Sequence, residues 1–376
     1  MKEIFLSPYN PEKTEKRIYE IWLNSGFFNP DICIEKGIIK KEAPYFSIVL
    51  PPPNVTGTLH MGGAFMLALE DKPVDLAANI FVEDHQADPK LALAAYEKLG
   101  AQTKLDAVIS AMSPVSLALQ PRLNEQHVIQ MAVFSSTPDY SSIGDYSFRT
   151  TARAELENKA LVGYVEKHFP YKRAAVLYLQ NDMGLGHRKG FKEAFRGEIV
   201  LEEAFSNQET DLRSVLTKIK EKNPDVLYIA GDAKSVGKIL KQARELGLLI
   251  PIISTRAIEH PDLVSIAGQG AEGILYPYPF DLQSENPLTQ DFVARYRAHY
   301  GKDPSTYSAE GYVAMKLLLD AFEVCETDKE CARNLLASMQ NKDSVFGPLS
   351  FDEMGDVSYP FLIKTIEDGN FVVVKE

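Results

Sequence analysis

No apolar run in this chain approaches the roughly 20 residues that a membrane-spanning helix needs, which excludes direct insertion of that kind. Clustered basic residues are missing too. Lys and Arg number 40 against 52 Asp and Glu, for a formal charge of −12, so a broad nucleic-acid surface, which needs gathered cations, is excluded. The opening MKEIFLSPYNPEKTEKRIYEIW alternates charge with apolar residues and lacks the apolar core and small-residue cleavage site of a secretory signal, so read literally the chain stays in the cytoplasm. No Cys/His group has metal spacing, no phosphate-cradling glycine loop precedes a Lys, and no Ser/His/Asp set stands out from spacing. We therefore expect no catalysis, no metal and no cofactor. Of three cysteines, Cys33 stands alone. Cys325 and Cys331 bracket the polar turn CETDKEC, which in an oxidising compartment closes a small disulfide and in a reducing one stays as two thiols.

What is present is a soluble composition, 45% hydrophobic and 24% charged, with length for two domains. Residues 45 to 70, YFSIVLPPPNVTGTLHMGGAFMLALE, read as strand, loop and helix: an apolar run meets three prolines, a Thr56-Gly57 turn and an apolar segment. Before it, residues 11 to 25 place Ile18, Ile21 and Trp22 on one helical stripe that stops at Gly26. After it, strands at 79–84, 107–110 and 128–133 alternate with helical patterns, one opened by the Asp88 cap and Pro89. The alternation resumes with strands at 174–179, 226–229, 251–254 and 273–277, separated by helices at 184–195, 211–222 and one that stops at Gly247. A repeating βα pattern implies a parallel sheet covered by helices, and two such modules imply two lobes.

The start of the chain, about residues 8–62, resembles the beginning of valyl-tRNA synthetase, a class I enzyme, through PPPNVTGTLHMG. In that family a His-Ile-Gly-His element at a strand-to-helix turn contacts ATP phosphates. His60, Met61 and Gly62 match it, whereas Gly63 stands at the second histidine position. The downstream Lys-Met-Ser-Lys-Ser element is absent, as are editing and anticodon domains, so His60 reads as an imidazole in a surface loop.

From about residue 64 to 376 the chain resembles the branched-chain amino-acid (Leu/Ile/Val) type of periplasmic binding protein, the substrate-binding component of ABC importers. The likeness rests on segments in family order, among them FVEDHQADPKLALAAYEKL (81–99), SPVSLAL (113–119), FRTTA (148–152), NDMGLG (181–186), AGQGAEGIL (267–275) and FGPLSFDEMGD (346–356). It implies an α/β, type I periplasmic-binding-protein fold: two doubly wound parallel-sheet lobes joined by a hinge, preceded by a mostly helical extension. The expected divisions are 1–44 for the synthetase-like extension, 45–152 and 278–345 for lobe I, and 153–277 and 346–376 for lobe II. We expect residues 46–50 to fill the first central strand of lobe I, since without it neighbouring strand edges lie open.

In such a fold, ligands bind at the carboxyl ends of the strands, where loops and helix N-termini offer free N–H groups. Ser113 follows one strand, and Ser135 and Ser136 follow the next; these hydroxyls suit a ligand carboxylate, and equally serve as turn and cap residues. Across the cleft, Asp182 and Met183 stand where the family often has an aromatic after Asp. Asp232 faces the cleft or caps the next helix. Where amino-acid-binding members supply acids for the ligand ammonium, this chain has Ala154 and Arg256, and Arg256 is expected either to pair with an organic anion or to lie on a surface loop. Tyr276, Tyr278 and Phe280 read as hinge packing.

The resemblance implies capture of a branched-chain amino acid or related small carboxylic acid for delivery to an ABC permease, and hence a periplasmic location. A partial valine-tRNA ligase start fused to a binding protein, or a cytoplasmic small-ligand sensor of the same fold, are the alternatives.

Overall fold

A computed structural model describes residues 45–50, 61–71, 77–142 and 146–374. The expected helix at 11–25 and the loop carrying Thr56, Gly57 and His60 lie outside the described residues. The first lobe alternates strand and helix: β1 (Tyr45–Leu50), α1 (Met61–Glu70), β2 (Ala77–Val82), α2 (Pro89–Gly100), β3 (Ala107–Ala111), α3 (Ser113–Glu125), β4 (Ile129–Val133) and β5 (Ser147–Arg149). Its five strands run in the order β2-β1-β3-β4-β5, all in parallel. Strand β1 is therefore inside the sheet, in register with β2 from Tyr45↔Ala77 to Leu50↔Val82 and paired on its other side with β3. Every residue of β3 and β4 is buried. That is why both read as continuous apolar runs rather than as alternating ones. Asp88 caps α2 by accepting from the Lys90 and Leu91 amides, with Pro89 at the first helical position.

The second lobe repeats the plan with α4 (Ala154–His168), β6 (Arg173–Leu179), α5 (Asp182–Ala194), β7 (Glu198–Phe205), α6 (Arg213–Lys222), β8 (Val226–Ala230), α7 (Ala233–Glu245), β9 (Ile252–Ser254) and α8 (Pro261–Ala267). Its sheet order is β7-β6-β8-β9, again parallel. Strand β7 is an edge strand of intermediate burial, and its acids Glu198, Glu202 and Glu203 break the apolar run that would make it stand out in the sequence.

The remainder of the chain serves both lobes. It comprises β10 (Tyr276–Tyr278), α9 (Pro287–Tyr300), α10 (Thr306–Cys325), α11 (Lys329–Ala337), β11 (Lys342–Ser344), β12 (Gly347–Phe351), β13 (Val357–Ser358), β14 (Leu362–Glu367) and β15 (Asn370–Val373). Helix α10 packs on α1 and so belongs to the first lobe. Strands β14 and β15 join β10 in an antiparallel sheet on the second lobe, where Gly273 N also donates to Ile366 O. The boundary expected at residue 346 falls later. Phe351 packs edge-on against Phe148 with ring centres 5.4 Å apart, and Arg149 N donates to Gly355 O, so residues 347–358 stay with the first lobe. Gly355 makes this contact possible: its φ is +77°, and a Cβ there would lie 2.1 Å from Ser147 O.

Two of the segments that cross between lobes are tied together by Tyr359, whose hydroxyl accepts from Ala152 N at 3.1 Å and donates to Thr150 O at 3.2 Å. Tyr276, Tyr278 and Phe280 are buried on the way back to the first lobe. Cys325 and Cys331 are joined as a disulfide across the turn between α10 and α11, with Cα atoms 5.6 Å apart. Among the described residues, no helix is long and apolar enough to cross a membrane.

Candidate functional site

The chain leaves β3 and β4, two inner strands of the first lobe, through a strained residue each. Met112 after β3 has φ +76° and Phe134 after β4 has φ +56°, a region that non-glycine residues adopt at a cost of about 1–3 kcal/mol and that concentrates at ligand sites. The turn at Met112 makes Ser113 the first residue of α3, and Met112 supplies no side-chain cap to that helix. The turn at Phe134 delivers Ser135 and Ser136. All three serines are buried, and the Ser135 hydroxyl has no hydrogen-bond partner. An orphaned buried hydroxyl costs free energy that a bound polar group would recover.

The loop that carries Ser135 and Ser136 is held from beneath by Arg149, which is fully buried. Its Nη1 donates to the carbonyls of Ser135 at 3.0 Å and Thr137 at 2.7 Å, and its Nε pairs with Asp356 Oδ1 at 2.6 Å. These carbonyls are thereby turned toward Arg149, and a charge-assisted pair at zero exposure fixes the loop.

The two lobes meet through a charge cluster. Arg256, just after β9 in the second lobe, is hydrogen-bonded to Glu310 Oε1 on α10 of the first lobe. Its Nε lies 2.9 Å from Glu157 Oε1 on α4. Neither Glu157 oxygen receives a well-directed hydrogen bond, so that contact is electrostatic rather than a formed N–H···O bond. Glu310 Oε2 accepts from Thr151 Oγ1 at 2.7 Å and from Phe134 N at 3.3 Å. Arg256, Glu157 and Glu310 are 6%, 1% and 0% exposed. Burial, partly offset by Arg256 and reinforced by Glu310, pushes the Glu157 carboxyl up to about 7. Arg256 stays firmly protonated: burial works against its charge, but the two carboxylates outweigh it. His187, whose Nε2 is 3.8 Å from Glu157, is lowered to about 3 by burial and by Arg256. At neutral pH it is uncharged, and its contact with Glu157 is not an ion pair. The rings of Phe134 and Tyr307 pack beside the cluster at 4.0 Å.

The expected site residues divide accordingly. Ser113 follows the carboxyl end of β3, and Ser135 and Ser136 that of its neighbour β4. Arg256 is neither on a surface loop nor free for an anion, because two carboxylates already claim it. Asp232 caps α7, accepting from Ser235 N at 3.0 Å and Ser235 Oγ at 3.1 Å, which spends its carboxylate on the helix. Asp182 is exposed in the first turn of α5, and Met183 is half-buried against the core. Glu157, Glu310, Thr151 and Arg149 were missed, since acids and threonines inside helical or crossing segments carry no periodic signal. The one hint is Glu310, flanked by Ala309 and Gly311 in the amino-terminal half of α10, ahead of the next charged residue Lys316. A cavity of about 320 Å³ opens near the amino-terminal ends of the second lobe's strands, lined by Phe169, Tyr171, Arg244 and Leu249 among others, and includes none of these residues. No cluster of His, Cys, Asp or Glu among the described residues forms a metal site.

Two doubly wound lobes, joined by crossing segments and carrying the partnerless Ser135 hydroxyl and a buried charge cluster, define a two-lobed solute-binding protein. The chain belongs to the periplasmic binding protein family, whose profile matches residues 77–370. Residues 17–77 match the profile of class I tRNA synthetases (I, L, M and V), in agreement with the resemblance of the amino-terminal segment. The Leu/Ile/Val-binding protein homolog 1 of Brucella suis biovar 1 (strain 1330) is 26% identical over 289 residues, spanning 75% of this chain and 76% of that protein. Among solved structures, a leucine-binding protein LivK from Thermotoga maritima MSB8 shares the fold with a TM-score of 0.79 at 24% identity, covering 89% of this chain and 98% of that one. A solute-binding protein of an ABC transporter from R. palustris, in complex with 4-hydroxybenzoate, superposes with a TM-score of 0.77 at 20% identity over 88% of this chain and 96% of that one. The family is one of substrate-binding proteins, not enzymes, and is periplasmic.

Proposed function

We propose that this chain is the substrate-binding component of an ABC transporter, trapping a branched-chain amino acid or related small carboxylic acid between its lobes and presenting it to a permease from the periplasmic side. The observation that carries this reading is the rim of the first lobe: the Ser135 hydroxyl is buried without a partner, Ser113 and Ser136 lie beside it on adjacent strand ends, and α3 begins there without a side-chain cap. An acid group placed at that rim satisfies the hydroxyls and the first-turn amides together. The names of the relatives, Leu/Ile/Val-binding and leucine-binding, and the bound 4-hydroxybenzoate of the R. palustris protein all fall within that ligand chemistry.

The test is a thermal-shift and calorimetric panel of leucine, isoleucine, valine, benzoate and 4-hydroxybenzoate. A ligand at a hundred times its Kd stabilises the folded form by about 2.7 kcal/mol, which is visible as a raised Tm. Replacing Ser113 and Ser136 by alanine removes hydrogen bonds to a charged group and is expected to weaken binding by about 10- to 100-fold. If no carboxylic acid raises the Tm, or if the double variant binds as well as the parent, the proposal fails.

A further inference from the structure

Glu310 reaches the lobe junction from the first lobe and Glu157 from the second, and both residues are almost without solvent there. Two carboxylates gathered in so poorly hydrated a place repel as anions, and the repulsion is relieved by a proton on one of them or by a cation between them. That cation is part of the protein: Arg256 is bonded to Glu310 across the gap and lies against Glu157 on its own lobe. Each partner is fixed. Thr151 and the Phe134 amide hold Glu310 from the crossing segment and the β4 turn, and Tyr359 braces the same crossing segment through Thr150 and Ala152. When the lobes part, Glu157 stays beside Arg256 because both belong to the second lobe, while Glu310 departs with the first. The guanidinium therefore keeps a counter-ion in either state, and only the bridge to Glu310 is made and broken.

We infer that Arg256 is a specificity-determining residue: it supplies the positive charge that closure demands between Glu157 and Glu310, so the ligand is selected by its acid group and does not have to carry an ammonium. This inference rests on the carboxylate-binding reading above and narrows its ligand class to carboxylic acids with or without an α-amino group. A ligand's amino group is then an accessory and not the bridge between lobes.

Calorimetry on the full chain with L-leucine and 4-methyl-2-oxopentanoate, which differ only in the α-amino group replaced by an oxo group, tests it. The unmodified protein is expected to prefer leucine by less than about tenfold, and a larger preference overturns the inference. In R256Q the two carboxylates face each other without a cation, so the preference for leucine should rise at least about tenfold over that of the unmodified protein. The double variant R256Q/E310Q, with one acid removed along with the cation, should return to the original ratio. A ratio unchanged by R256Q overturns the inference. Should R256Q not fold, the comparison on the unmodified chain still decides. Binding of neither compound to the unmodified protein would remove the carboxylate reading and this inference with it, whereas binding of leucine alone overturns only this inference.

Discussion

Replacing Glu157 by glutamine keeps the shape of the side chain and deletes a charge that is expensive where it stands. Burial, the largest influence, raises this carboxyl from 4.5 to about 7. The folded protein therefore takes up a proton at this position in a pH range where the unfolded chain has lost it. Stability contributed by the protonated form is fully present below the unfolded value of 4.5 and is lost as pH rises through about 7, after which the whole cost of the buried anion remains. At about 1.4 kcal/mol for each tenfold change, that cost is about 3 kcal/mol. E157Q escapes it, so its advantage over the parent should be near zero at pH 4.5 and grow to about 3 kcal/mol at pH 8. His187 titrates in the opposite sense, being lowered to about 3. Its contribution is common to parent and variant and drops out of their difference. Urea unfolding of both proteins at pH 4.5, 6 and 8 measures that difference. A gap that does not change with pH, or a variant less stable than the parent at pH 8, would refute the argument, the second by showing that attraction to Arg256 outweighs burial.

Two further predictions follow from packing and covalent geometry. Gly186 of α5 faces the loop after β4 in the opposite lobe, and a Cβ there would lie 2.9 Å from Pro138 Cδ. Since a proline ring cannot swing aside, G186V should wedge the lobes apart, weakening ligand binding by at least about tenfold while leaving each lobe folded. Small-angle scattering should report a larger radius of gyration for the variant, and unchanged dimensions would count against a direct contact between the lobes at this point. The Cys325–Cys331 bridge spans a separation of six residues. Chain-entropy reasoning for so short a loop gives about 2 kcal/mol of stabilisation, so the C325S/C331S variant should lose that much in urea unfolding, and a loss near zero would mean that the turn is already ordered without the bond.

The lobes were legible because their inner strands are buried on both faces. AVIS, VIQMAV and VLYI have no polar residue facing water to interrupt them, and Asp88-Pro89 announces a helix start by cap chemistry alone. Edge elements were not: β7 mixes acids with apolar residues because it is only partly covered, and the strands β11 to β15 are two to six residues long, too short for an alternation to show, with β14 also paired to the distant β10. The site divided along the same line. Ser113, Ser135 and Ser136 stand out because strand-end position is itself a sequence feature, and their contact with a ligand is the proposal made above. Arg256 could be singled out but not its surroundings, for nothing local foretells that Glu157 and Glu310, separated by most of the second lobe, will converge on it. Asp232 is the reverse case, where the local capping chemistry competed with the ligand role and took the side chain.

Strand β1 has a bearing on how this protein can be cut or joined. Its six residues fall inside the stretch that matches synthetases and ahead of residue 77, where the match to binding proteins begins. Yet among the described residues β2 has no other strand neighbour, and one flank of β3 rests on β1. Trimming to the stretch of recognised ancestry would strand β2 and lay open a raw edge of the sheet, so any shortened version has to begin upstream of Tyr45. Descent and architecture draw their borders here at different places, and only the architectural one is safe to use as a scissor line.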